Sequence, residues 1–181
     1  YREALAISQR AYGPDHPNVA QFVENIATLL ADLDRFEEAE TFYRDALRIL
    51  TVALEPGDTR LALLRRNLAL NRHALGDYAE AEVLLRSALG TFETSLGDDH
   101  FYTAIARSSL GRTLTAAGRA REGLALLRAS LASMEAQLPA DHWRIQAVRS
   151  ELGAALAATG DAARAEPLLL ASYNALLEQR G

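Results

Sequence analysis

Three histidines, His16, His100 and His142, and one aspartate, Asp58, stand at matching places in the chain. Carboxylates crowd them: Asp15 precedes His16, Asp98 and Asp99 precede His100, and Asp141 precedes His142. Imidazole beside carboxylate is the material of zinc sites and of general acid–base pairs. Spacing argues against both. If each interval between 16, 58, 100 and 142 is a pair of helices, equivalent side chains lie two helix spacings apart, each about 8–10 Å. Zinc needs its nitrogens at about 2.0–2.1 Å. Each of the four residues follows a Gly- or Pro-containing break and precedes an apolar stretch of helical period, so capping and loop packing is the expected role. Asp98-Asp99-His100 is the densest cluster, and it too sits at a helix start. An enzyme is therefore the remotest reading; no catalytic residue, metal or cofactor is expected.

A second ladder, Arg65, Arg107 and Arg149, borders the apolar stripe of the same helices. Arginine there lays its stem on apolar surface, with the guanidinium at the edge beside a nearby acid; a partner-binding role stays open beside that one.

The elements that would position these residues are set by a repeat. Turn residues recur at Asp34, Gly76, Gly118 and Gly160, a constant step of 42 from 34 to 76 to 118 to 160. A period of roughly 20–50 residues marks a stacked array, in which each unit touches only its neighbours. Between breaks, Val19, Val23, Ile26, Ala27, Leu30 and Leu33 keep 3- and 4-residue steps. After the turn, Ala39, Phe42, Tyr43, Ala46, Leu47, Ile49 and Leu50 do the same. Each unit is thus an antiparallel helical hairpin, its first helix running from Pro17, with Asp15 as cap acceptor, to about Leu33, and its second starting near Phe36. Two helices of about 18 residues with their turns fill the period. Ile26-Ala27, Leu68-Ala69, Leu110-Gly111 and Leu152-Gly153 place a large residue beside a small one, as close helix crossing requires; Ala39, Ala81, Gly123 and Ala165 do so in the second helices. The expected organisation is one all-α, right-handed solenoid over 1–181: the end of a preceding repeat at 1–12, then repeats at 13–54, 55–96, 97–138 and 139–181. Because Tyr1, Ala4, Leu5 and Ile7 match the second half of a repeat, the chain is expected to be a fragment of a longer array.

Composition narrows the partners. The 24 acidic and 19 basic side chains leave a formal charge of -5, against nucleic-acid binding, which needs a basic face. Cysteine is absent, which removes disulfides and thiolate chemistry. No apolar run approaches the roughly 20 residues of a membrane-spanning helix, so no membrane contact is expected of this segment, and a cytoplasmic setting is the expectation.

The small-residue pairs, turn glycine and second-helix alanine resemble the tetratricopeptide repeat. The longer period, with Tyr12-Gly13-Pro14-Asp15-His16-Pro17, Asn25-Ile26-Ala27, Phe36-Glu37-Glu38-Ala39-Glu40 and Tyr43-Arg44-Asp45-Ala46-Leu47, is similar to the repeats of kinesin light chains. The fourth repeat, through Leu138-Pro139-Ala140-Asp141-His142-Trp143-Arg144 and Ala165-Glu166-Pro167-Leu168-Leu169-Leu170-Ala171-Ser172-Tyr173, resembles arrays attached behind bacterial serine/threonine protein kinase domains. No kinase motif lies in these residues.

The resemblance implies a concave groove lined by first helices that binds a peptide or protein segment. The face opposite the core stripe offers Gln21, Glu24, Asn25, Thr28 and Asp32, then Leu63, Arg66, Asn67, Leu70 and His73, then Ile105, Ser108, Ser109, Arg112 and Thr115. Asn25 and Asn67 match positions whose asparagines, in the resembling arrays, bond the backbone of a bound peptide. Glu24 and Asp32 make one end acidic, whereas Arg66, His73 and Arg112 make a basic middle that would accept an acidic segment. In the fourth repeat, Ala147, Ser150, Ala154, Ala157 and Ala158 are small, which suits homotypic contact. Two functions follow: a protein-interaction module, as the regulatory or scaffolding tail of a larger bacterial protein such as a serine/threonine kinase, or a self-association module forming a homo-oligomer through the last repeat.

Overall fold

The computed structural model describes residues 2–178, which form nine helices and no strand. Tyr1, part of the repeat match, and residues 179–181 lie outside the described residues. In order the helices are α1 (Arg2–Tyr12), α2 (Pro17–Asp32), α3 (Phe36–Ala53), α4 (Thr59–Ala74), α5 (Tyr78–Leu96), α6 (Phe101–Ala116), α7 (Ala120–Gln137), α8 (Trp143–Ala158) and α9 (Ala162–Glu178). The chain divides into two compact units, Tyr1–Thr91 and Phe92–Gly181, the division falling within α5.

In the first unit α2 packs on α1 and α3, and α3 on α4. Val19, Val23, Ile26, Ala27 and Leu30 of α2 meet Ala39, Tyr43, Ala46, Ile49 and Leu50 of α3 and Leu61, Leu64 and Leu68 of α4 in one core. In the second unit α6 packs on α7, α7 on α8 and α8 on α9. There Leu127, Met134, Ile145, Val148, Leu152 and Leu156 form the buried set. The apolar stripes are as the spacing predicts, except at Leu33. That residue is the α2 C-cap and is 57% exposed, because the helix ends one residue short of it.

Each hairpin turns through a left-handed residue: Asp34 at φ 57°, Gly76 at 81°, Gly118 at 81° and Gly160 at 86°. The amide after it bonds back to the last turn of the helix: Arg35 N to Leu30 O at 2.9 Å, Asp77 N to Arg72 O at 2.9 Å, Arg119 N to Leu114 O at 2.8 Å and Asp161 N to Leu156 O at 3.0 Å. This is the 6→1 closure that favours glycine; Asp34 is tolerated because a short polar side chain visits this region at modest cost.

The histidine ladder caps helices. His16 Nδ1 accepts from Asn18 N at 3.1 Å, His100 Nδ1 from Tyr102 N at 3.1 Å and His142 Nδ1 from Arg144 N at 3.2 Å; Asp58 Oδ1 accepts from Arg60 N at 2.9 Å. The expectation that Asp15 caps α2 is corrected: His16 holds that place, and the Asp15 carboxylate accepts from Arg48 at 2.8 Å. Capping is measurable. His100→Ala is expected to lower the unfolding free energy by about 1 kcal/mol, whereas His100→Asp, the residue type of the second repeat, retains it. Equal urea midpoints for all three proteins would remove the capping role.

Candidate functional site

The faces that could recognise a partner are the outer sides of the first helices, α2 and α4 in one unit and α6 and α8 in the other. In the first unit two clefts open beside them, and Asn67 lines both. The larger, about 610 Å³, lies among Tyr12, Gln21, Phe22, Glu24, Leu63 and other residues of α1–α4. The smaller, about 230 Å³, lies among α2, α3 and α4.

Of the expected wall residues, Gln21 and Thr28 are exposed, while Glu24, Asn25, Leu63, Arg66, Asn67, Leu70 and His73 are half-buried. Much of their hydrogen-bonding capacity is already used. Asn67 Nδ2 donates to Glu24 Oε1 at 2.9 Å, and Asn67 Oδ1 accepts from Arg66 at 3.2 Å. Gln21 Nε2 donates to Asn25 Oδ1 at 3.3 Å, and the His73 ring packs edge-on to Tyr78 at 5.2 Å. The two asparagines are therefore held in place by neighbours one turn or one helix away. Asn67 would have to exchange those bonds to grip a peptide backbone.

Electrostatics on this wall are dominated by half-shielded carboxylates. Burial pushes the Glu24 carboxyl above the ordinary carboxylate range, against the Asn67 hydrogen bond, which lowers it. Burial also pushes the Tyr43 hydroxyl up; the Glu24 and Asp32 charges act in the same direction, against the Thr28 hydrogen bond and the Arg66 charge. A carboxyl whose folded pKa is raised favours the folded state in its protonated form. The folded state therefore gains on the unfolded one as pH falls through that value, and loses as pH rises.

The second unit differs from the expectation. Ile105, Ser108 and Ser109 are 6%, 8% and 5% exposed, so they do not present a recognition surface. Ser108 instead donates to Glu151 Oε2 at 2.6 Å, bridging α6 and α8. Arg112 is directed toward the same carboxylate, with Nε 3.9 Å from Glu151 Oε1. Arg66 thus donates to a neutral amide, while Arg112 has the Glu151 charge opposite it. Thr115 bonds its own helix, Oγ1 to Gly111 O at 2.8 Å. In α8, Ala154, Ala157 and Ala158 are exposed.

Two rungs of the arginine ladder pair with acids. Arg107, its side chain 14% exposed, donates to Glu93 Oε1 at 2.9 Å and to Asp98 Oδ1 at 2.5 Å. Arg149 donates to Glu135 at 2.7 Å, while Arg65 forms no ion pair among the described residues. No group of three His, Asp or Glu close enough to hold a metal occurs among the described residues. No described helix is long and apolar enough to cross a membrane.

Sequence reasoning missed Asn71 and Tyr43 as part of this wall. Asn71 is 2% exposed and lines the smaller cleft. Its signal was available: equivalent positions hold Leu29, Thr113 and Ala155, so an amide stands where the other repeats carry no amide.

Comparison with known proteins places this arrangement. A family model described as tetratricopeptide repeat matches residues 1–51 and 58–136, and a second model of the same description matches 146–171. Among solved structures, the nearly identical TPR-like repeats of a kinesin-light-chain-type protein from Podosopora anserina superpose with a TM-score of 0.79 at 22% identity, covering 99% of this chain and 85% of that one. BtubC (BKLC) from P. vanneervenii superposes with a TM-score of 0.83 at 23% identity, covering 100% of this chain and 72% of that one. At such identities the likeness is one of fold. No curated protein matches the sequence.

Proposed function

Since the chain belongs to the tetratricopeptide repeat family, with helical hairpins of the α-solenoid class like those of kinesin-light-chain-type repeats, we propose that it is a non-catalytic protein-interaction module. It holds a peptide or protein segment against the α2–α4 wall. The observation that carries this reading is the pair of clefts flanking Asn67, which together offer an apolar floor and fixed polar groups. Phe22 and Leu63 supply apolar lining of the larger cleft, Tyr12 its exposed aromatic rim, and Gln21, hydrogen-bonded to Asn25 beside the cleft, an amide able to donate and accept. An affinity near micromolar, about −8 kcal/mol, is what a short ordered segment on such a wall yields.

The test is a displayed peptide library panned on the chain. Enriched peptides should lose at least about tenfold in affinity against Leu63→Lys, which fills the larger cleft with a long charged side chain. Circular dichroism should stay unchanged. Peptides that bind Leu63→Lys as well as the native protein would place recognition elsewhere and end this reading.

We further propose, from the fourth-repeat resemblance, that the module serves as a scaffolding or regulatory segment of a larger bacterial protein such as a serine/threonine kinase, in the cytoplasm. The acidic partner expected from the sequence is a further version of the binding reading; within their own units Arg66 donates to Asn67 and Arg112 faces Glu151. Self-association is the second reading. It is favoured by Leu170, Tyr173 and Leu177, which are 56%, 61% and 49% exposed and share one stripe of α9 at 3- and 4-residue spacing. A concentration-dependent dimer in sedimentation, abolished by Leu170→Glu, would select it; a strict monomer would dismiss it.

A further inference from the structure

We propose that the 230 Å³ cavity between α2, α3 and α4 receives a cationic side chain, arginine or lysine, from the segment bound along the wall. The proposal rests on the peptide-binding reading above and adds the chemistry of one anchor.

The cavity's unspent polar groups are mainly acceptors. One N–H of Asn71 Nδ2 donates to Phe36 O at 2.9 Å, while Asn71 Oδ1 is buried and has no hydrogen-bond partner among the described residues. The Asp32 carboxylate, on the exposed rim, pairs with no cation among the described residues. The Thr28 and Tyr43 hydroxyls share one hydrogen bond at 3.2 Å, leaving a single spare proton. Asn67 is committed at both ends to Glu24 and Arg66. A guest carboxylate would meet the Asp32 charge and would bring no donor to Asn71 Oδ1. A guest aliphatic side chain would leave Asn71 Oδ1 unsatisfied, a cost of the size of a lost hydrogen bond. A guanidinium brings five donors and an ammonium three, with no acceptor. Phe36 and Tyr43, aromatic rings able to attract a cation, line the cavity together with Ala31 and Leu70.

The field has the matching sign. The charges that act on Tyr43 are Glu24, Asp32 and Arg66, two acids to one base, and Arg66 donates to Asn67. The combination is also particular to this place. Position 32 is alanine in the other repeats, at Ala74, Ala116 and Ala158, and position 71 is amide-free in them. The sequence pattern pointed to an acidic guest in a basic middle; this cavity inverts the sign for its own anchor.

The test uses the isotope-labelled chain and amide NMR, with capped tripeptides Gly-Arg-Gly and Gly-Lys-Gly as probes, and Gly-citrulline-Gly and Gly-Glu-Gly as controls. The Asn71 side-chain amide and the Thr28 backbone amide report on the cavity; Leu63 and the Gln21 side chain report on the wider wall. Saturable shifts at Asn71 are expected with arginine or lysine, near millimolar affinity for so small a probe, and not with citrulline or glutamate. The stronger of the two cations identifies the group. Asp32→Asn, a change at an exposed rim residue, should weaken the cation about three- to fivefold and leave the rest of the spectrum in place. Shifts at Leu63 and Gln21 without a saturable shift at Asn71 would overturn the cavity proposal while leaving the wall intact. No shift at either set would overturn both. Equal response to citrulline or glutamate, or an unaffected Asp32→Asn, would overturn the charge argument.

Discussion

Gly123→Ala is expected to destabilise the second unit by about 2 kcal/mol, although alanine is what the equivalent positions Ala39, Ala81 and Ala165 carry. Propensity alone predicts the opposite, since alanine for glycine inside a helix gains up to about 1 kcal/mol. The close crossing of α6 and α7 reverses the sign. A Cβ at position 123 would stand 2.5 Å from Gly111 O and 2.7 Å from Thr115 Oγ1. The first of these is backbone and cannot swing aside, so the two helices must part and loosen Leu110, Leu114 and Leu127 beside them. Gly153→Ala is the internal control. Its Cβ would meet Leu169 Cγ at 2.8 Å and Cδ2 at 2.9 Å, both side-chain atoms, and Ala165 O only at 3.4 Å. The half-buried Leu169 must give way but no backbone stands closer than that, so this variant should lose less stability than Gly123→Ala. Urea midpoints measure both; a Gly123→Ala protein as stable as the Gly153→Ala one would show that α6 and α7 are not held by this contact.

Arg72→Leu is expected to cost about 2 kcal/mol, again against the repeat pattern. The same position is Leu30, Leu114 and Leu156 elsewhere, each buried. In the second repeat the arginine sits among three carboxylates, donating to Glu80 at 2.6 Å and to Glu40 at 2.9 Å, with Asp77 at 3.1 Å. Arg44 completes the group, bonding Glu40 and Glu80 at 2.8 Å each. Arg72, Glu40 and Glu80 are only 20%, 19% and 31% exposed. Their interaction therefore lies between that of an exposed pair, about 0.2–1 kcal/mol, and that of a buried one broken on one side, about 3–5 kcal/mol. Leucine would leave Glu40 and Glu80 facing each other with Arg44 alone between them. Adding Glu80→Gln should recover about half of the loss, a coupling that a double-mutant cycle reads directly. Additive losses would mean that the arginine acts through its stem and not its charge.

These two positions mark where the repeat pattern is followed in fold and departed from in energetics. Gly123 and Arg72 each stand where the other repeats carry one consistent residue. The departure matters because a contact across the hairpin or between hairpins has been rebuilt around it. A substitution toward the repeat consensus is stabilising only where the neighbours also match the consensus.

The sequence alone determined the helices, their turns, the capping ladder at 16, 58, 100 and 142, and the period. Those features depend on residues within a few positions of one another: a glycine or aspartate that turns left-handed, a histidine or aspartate whose side chain reaches an amide two residues on, an apolar step of three or four. The tertiary structure alone decided which wall residues are free. Asn67 is spent on Glu24, 43 residues away, Asn71 on the Phe36 carbonyl, 35 away, and Ser108 on Glu151, 43 away. Each of those bonds joins one helix to another, so helical spacing carries no trace of it. Ile105 and Ser109 lie on the face that the wheel sends outward, yet both are buried. A helix in a stacked array has neighbours on more than one side, and a wheel drawn for one stripe counts only the first of them.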